Sequence, residues 1–291
     1  MNIRAALGLS IGLATATIAA PASATTILYN NFSSLAGLQL NGSTRAIHSC
    51  ALSGVGSTCS AVTGIGGDNV LRLTNNTSQA GSAFSTSAIS LAADASFSTS
   101  FQFRFSDQQN SGADGIVFAV QTNSNTAGGS GGGIGYQGIP NSVGIEFDNW
   151  NNGGGDGNSD NHVGINLNGN VNSVALTPSP YFLDSGALLT AWVDYNGVTD
   201  LLEVRLSNNT TRPLAALLSH TVDLVTVLGT TNAFVGFTSG TGAAGADHDI
   251  VAWQFNSEFN PINEIGVPAP GAIAVLGLGL IALGAWRRRR I

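Results

Sequence analysis

Phe97-Ser98-Thr99-Ser100-Phe101-Gln102-Phe103-Arg104-Phe105 is the stretch that decides the fold class. The aromatic residues fall on odd numbers and the polar ones mostly on even numbers, the period of two expected of a strand with one buried face. Similar runs recur at 116–121, 143–148, 162–167, 190–195, 201–206, 233–237 and 250–255, separated by Gly, Asn and Ser clusters. Only 213–218 reads as a short helix. No internal repeat is present. Many short strands with turn signals between them predict an all-β sandwich or jelly roll in one domain. Composition agrees: of 291 residues 38 are Gly and 9% are charged, yet 43% are hydrophobic, enough to form a sizeable core and to exclude disorder.

The charges are unevenly spread. Residues 25–266 carry all 17 acids and five of the ten arginines, and the chain has no Lys. A domain with twelve negative charges in excess does not compete for phosphate backbones, which excludes nucleic acid as a partner. The other arginines mark the ends. Arg4, the apolar stretch 5–20 and Ala22-Ser23-Ala24 form the three regions of a secretory signal peptide, residues 1–24. At the other end, Val267-Pro268-Ala269-Pro270 leads into an uncharged apolar run, 271–286, and then Arg287 to Arg290. That run is short of the ~20 residues that span a bilayer comfortably, and its arginines belong on the cytoplasmic side. This tail resembles the PEP-CTERM sorting signal of Gram-negative bacteria, with Ala269 in place of the middle Glu. The resemblance implies an exosortase-type sorting enzyme as partner and a transient anchor in the inner membrane. The expected destination is the cell surface or the extracellular matrix. Cys50 and Cys59, close together in an exported chain, are expected to form a local disulfide.

The segment 143–167 carries the chemistry. Val143, Ile145 and Phe147 share one strand face, so Glu146 and Asp148 project from the other. A loop rich in Gly, Asn and Asp follows, with Trp150, Asn152, Asp156 and Asp160. The chain then returns as a strand whose His162 takes the face opposite Val163, Ile165 and Leu167. If the two strands pair, four acids and an imidazole meet around one hairpin and need a cation. Hard oxygens suit Ca2+, and an imidazole among carboxylates suits Mn2+ or another transition metal. Two other readings compete. A solvated turn explains an isolated loop of this kind. Paired carboxylates also serve glycosidases, although the concanavalin-like glucanases carry a third acid where Trp150 stands. EF-hand spacing is absent.

Residues 27–256 resemble the legume-type (L-type) lectin domain in its bacterial form. The resemblance is carried by the early strands expected at Asn31-Phe32 and Leu71-Arg72-Leu73, by Ala113-Asp114-Gly115, the Gly-rich stretch 128–135, 143–166, Ala191-Trp192-Val193-Asp194-Tyr195, Val235-Gly236-Phe237-Thr238 and 248–255. It implies a concanavalin-like jelly roll over 25–266, to which the two end segments add an N-terminal signal helix and, at 267–291, a C-terminal transmembrane sorting helix. It also implies a non-catalytic, metal-dependent protein that binds a glycan or polysaccharide. By the same resemblance Glu146 and His162 bind Mn2+ and Asp148 bridges Mn2+ and Ca2+. The Trp150 carbonyl and the Asn152 amide bind Ca2+. The second bridging Asp is Asp156 or Asp160, because the family's usual position five before the His is Gly157 here; Asp156 is preferred, since relatives also carry a non-ligating Asp two before the His, where Asp160 stands. For the sugar, the resemblance implies a carboxylate from Asp114 after a cis peptide, a backbone N–H from Gly133 or Gly132, the Asn152 amide and stacking on Trp150. Specificity is expected from the loop 241–247. His248 is expected to pack in the last strand, Asp194 to end a strand, and the Asn-x-Ser/Thr triplets to serve turns and strands.

Overall fold

Alternating side chains pair these strands into two antiparallel sheets, seen in a computed structural model that describes residues 24–48, 69–129 and 131–264. One sheet runs β14 (Leu218–Thr221), β13 (Leu201–Ser207), β12 (Leu189–Asn196), β7 (Phe97–Gln109), β16 (Gly245–Asn256), β4 (Asn69–Thr74) and β3 (Arg45–His48), with β1 (Thr26–Tyr29) also paired to β16. The other runs β11 (Ala175–Pro178), β10 (His162–Leu167), β9 (Ser142–Asp148), β8 (Gly115–Gln121), β15 (Asn232–Gly240), β5 (Ala80–Ser85) and β2 (Leu38–Gly42), with β6 (Ile89–Ser90) paired to β15. The predicted strands are present, most of them lengthened by a residue or more at their ends.

The core lies where the two inner faces meet. Phe97, Phe101, Phe103 and Phe105 of β7 are fully buried there. Phe101 meets Phe147 of β9 edge-on at 5.7 Å and Phe237 of β15 at 5.0 Å, the geometry that aromatic quadrupoles favour. The outer face of β9 is buried as well, because the loops between strands fold over it: Glu146 and Asp148 are 1% and 2% exposed. The buried ground beneath those loops is where the site forms.

Three expectations need correction. Residues 213–217 are irregular, and the short helix lies instead at α1 (Leu224–Leu228), capped by Asp223, which accepts from the Thr226 N–H at 3.0 Å. Leu224 and Leu228 dock into the core and hold it in place. Asn31 and Phe32 lie in the bend after β1, where Asn31 accepts from Ser33 and Phe32 is buried. Asp194 sits inside β12, buried and paired with Arg205 and Arg212. Asn76 and Asn209 cap local turns through Thr77 and Thr211, as expected of those triplets. Cys50 and Cys59, most of the signal segment 1–24, and the tail 267–291 lie outside the described residues. Among the described residues no helix is long and apolar enough to cross a membrane.

Candidate metal and ligand site

The hairpin β9–β10 brings the acids and the imidazole together by register. Asp148 stands opposite His162 and Glu146 opposite Gly164, so the even-numbered side chains of both strands share the outer face. Between the strands, a 3-10 turn over Gly154–Asp156 points the Asp156 carboxylate inward, where it accepts from the Asn152 backbone N–H. One ligand atom each from Asp148, Asp156 and His162 lie within 4.8 Å of one another, and all three residues are buried. Glu146 adjoins this group through His162, with Oε1 at 3.4 Å from Nε2. Asp160 is exposed and stands outside the group.

These residues fit a cation. His162 Nδ1 lies 3.2 Å from the Ser159 carbonyl, an acceptor, so Nδ1 serves as the donor there and Nε2 is the atom left to face the carboxylates, free to ligate a cation. Nε2 is buried without a hydrogen-bond partner, facing carboxylates. Burial raises the Asp148 carboxyl well above the usual range against a hydrogen bond from the Trp150 N–H, and the charges of Glu146, Asp156 and Asp114 push it further. Asp156 is also raised, by burial first, with Asn152 and His162 opposing and Glu146 adding to it. Several carboxylates crowded in low dielectric beside an unpartnered imidazole nitrogen are costly unless a positive ion joins them.

Sequence reading missed two residues that hold Glu146. Asn166 Nδ2 donates to Oε2 and the Ser173 hydroxyl to Oε1, each at 2.5 Å. The signal for Asn166 was present, since it shares the face of β10 with His162 and Gly164. Ser173 lies in the turn after that strand, where periodicity says nothing.

Beside the cation cluster is a second constellation. The Ala113–Asp114 peptide is cis, and the Asn149 N–H donates to the Asp114 carbonyl at 3.3 Å. Asp114 Oδ2 is buried without a hydrogen-bond partner. Burial lifts this carboxyl to about 6, the nearby Gly242 N–H pulls it down and the Asp156 charge pushes it up. A Cβ added to Gly242 would stand 3.7 Å from Asp114 Oδ2 and 4.0 Å from the Gly131 Cα, so the loop 241–247 closes over the carboxylate. A Cβ on Gly132 would come within 2.6 Å of Asn152 Nδ2, which sets the Gly-rich turn Gly131–Gly133 against the Asn152 amide. Gly133 itself faces Gln137. Trp150 is half-buried and turns toward Phe182 and Asp184.

His248 is not part of either group. It is fully buried in β16, its Nδ1 2.7 Å from the Thr74 hydroxyl, and burial with the Arg72 charge lowers it to about 3, which keeps it neutral.

The sequence pattern of the legume lectin domain matches residues 57–269. The chain belongs to the legume lectin domain family. Among lectin-domain relatives, the L-type lectin-domain containing receptor kinase VIII.1 of Arabidopsis thaliana is 32% identical over 172 residues, 56% of this chain and 24% of the kinase. Agglutinin-2 of Cladrastis kentukea is 34% identical over 174 residues, covering 56% of this chain and 58% of the agglutinin. The chain thus spans a quarter of the kinase and little more than half of the agglutinin. In three dimensions it is similar to basic winged bean lectin, solved with Tn-antigen, at a TM-score of 0.61 and 25% identity over 80% of this chain and 98% of that one.

Proposed function

We propose that this legume lectin domain is an exported, metal-dependent carbohydrate-binding protein without catalysis. The observation that carries the proposal is the convergence of Asp114, the turn Gly131–Gly133, Asn152 and Gly242 beside the buried cluster Asp148, Asp156 and His162. Glu146, Asp148, Asp156 and His162 would hold a transition metal such as Mn2+. Asp148, Asp156, the Trp150 carbonyl and Asn152 would hold Ca2+. When bound, the ions neutralise the carboxylates and fix the loop that carries Asn152.

The chain's own groups then supply recognition. Asp114 accepts from sugar hydroxyls, the backbone of Gly132 or Gly133 and the Asn152 amide donate, and Trp150 offers an aromatic face to the ring. Buried polar groups left unpaired without a ligand are the ones that discriminate between hydroxyl stereoisomers. A glycosidase reading is disfavoured because Glu146 is tied down by Asn166 and Ser173 beneath the surface, where no glycosidic bond can reach it. The bacterial origin, the signal peptide and the sorting tail complete the proposal, with delivery to the cell surface or an exopolysaccharide matrix.

A glycan array probed with the chain purified with Ca2+ and Mn2+, after EDTA, and as Asp114→Ala is the test. Binding is expected only in the first case, and binding that survives either change overturns the site assignment. Mass analysis of the exported protein checks the address, which predicts loss of both end segments.

A further inference from the structure

A cavity of about 360 Å3 opens beside Trp150, walled by Ser111, Asn149, Trp150, Asp160, Phe182 and Asp184. Its volume is in the range of ligand pockets. The Phe182 ring is 61% exposed, a large apolar surface that core packing does not explain. The polar wall is rich in acceptors. Asn149 is 2% exposed, and its Nδ2 donates to Asp184 Oδ1 at 2.7 Å. A carboxylate demands the donor end of the amide, so Oδ1 is turned away from it, and that oxygen has no hydrogen-bond partner. Burial raises the Asp184 carboxyl, hydrogen bonds from Asn149 and Gln108 pull it down, and the nearby Asp160 charge pushes it up. No basic residue lines the cavity.

The wall is also held in place before any ligand arrives. Asn161 accepts from the Leu183 N–H at 2.9 Å and donates to the Tyr181 carbonyl at 3.1 Å, which staples the Phe182 loop to the start of β10. Gln108 donates to the Asp184 carbonyl at 2.7 Å from the other side. Preorganisation of this kind lowers the entropic cost of binding.

Two aromatic rings and two carboxylates, with the Asn149 carbonyl oxygen buried and unpaired behind them, are the chemistry that receives an ammonium group, through cation–π attraction and charge-assisted hydrogen bonds. An N-acetyl group in the same place would set its own carbonyl against a wall of acceptors. We propose that this cavity binds the protonated primary amine of an amino sugar, so that the preferred glycan carries amino sugars without their acetyl groups. The inference rests on the carbohydrate-binding reading above, because Trp150 and Asn151 join the cavity directly to Asn152.

The test titrates the metal-loaded full chain at pH 6 with the β-1,4 dimer of glucosamine and with its N-acetylated counterpart, following tryptophan fluorescence. The free amine form is expected to bind more tightly. Phe182→Ala should weaken it about two- to fivefold, the worth of one exposed cation–π contact, Asp160→Asn should weaken it by removing a charge-assisted partner, and both should leave the acetylated dimer unchanged. Both positions are exposed, so neither change threatens folding. Equal binding of the two dimers, or variants that weaken both alike, overturns the inference while Asp114-dependent binding of neutral glycans upholds the lectin reading. Conversely, Phe182-dependent binding of the amine dimer that survives Asp114→Ala upholds the amine site and overturns the Asp114 site assignment. Failure of both dimers to bind overturns the inference outright.

Discussion

A Cβ placed on Gly164 would stand 2.1 Å from the Ser173 hydroxyl and 2.2 Å from Glu146 Oε1. Glu146 cannot swing aside, because Asn166 and Ser173 hold both of its oxygens under the loops. Gly164→Ala is therefore expected to cost about 1–3 kcal/mol through overpacking and to weaken Mn2+ binding, since Glu146 is forced off His162. Urea denaturation and calorimetric titration with Mn2+ check the two effects. An unchanged midpoint together with an unchanged affinity would show that the crowding is imaginary. At this scale the charged members of the site were legible in sequence because alternation assigns each to a strand face. Gly164 itself is only an absence of side chain, and nothing in the sequence says that a carboxylate fills the space.

The hairpin β9–β10 works as a unit because its connecting loop returns Asp156 to the cluster while leaving Asp160 outside. The return depends on Gly157, which closes the 3-10 turn at φ 60 with its N–H on the Gly154 carbonyl. That left-handed conformation suits Gly and Asn and penalises β-branched residues. Gly157→Val should lower divalent-ion affinity by displacing Asp156, and Gly157→Asn should retain most of it. Calorimetric titrations with Ca2+ and Mn2+ separate the two, and equal losses in both variants would show that the turn does not set the position of Asp156. The strands of this hairpin were readable because period two survives any loop length. The choice between Asp156 and Asp160 was not, since it turns on how a glycine-rich loop bends. The same limit explains the helix. Leu224-Val-Thr-Val-Leu228 has the β-branched composition of a strand, and the Asp223 cap with two buried leucines overrides it.

For the whole domain, buried ionisable groups set how stability depends on pH once the ions are removed. A carboxyl whose folded value is raised keeps a proton that the unfolded chain has already released, so stability falls as pH rises from the ordinary carboxylate range through the folded value. Asp114 at about 6, Asp247 at about 7 and Asp148 well above its usual value all act in this direction. His248 acts in the other. Lowered to about 3, it stays neutral while the unfolded chain still binds a proton, so it adds stability with rising pH until the ordinary imidazole value of ~6.5. The two trends oppose each other in acid, and above ~6.5 only the carboxyl trend remains. The urea midpoint of the EDTA-treated protein should therefore fall between pH 6.5 and 8.5. Ca2+ and Mn2+ should reduce that fall, because an ionised Asp148 then faces a cation in place of other carboxylates, whereas Asp247, paired with Arg72, keeps its own share. A midpoint that rises over this range in EDTA, or a fall of equal size with and without the ions, would mean that the buried carboxylates do not form the cation site that the hairpin register builds.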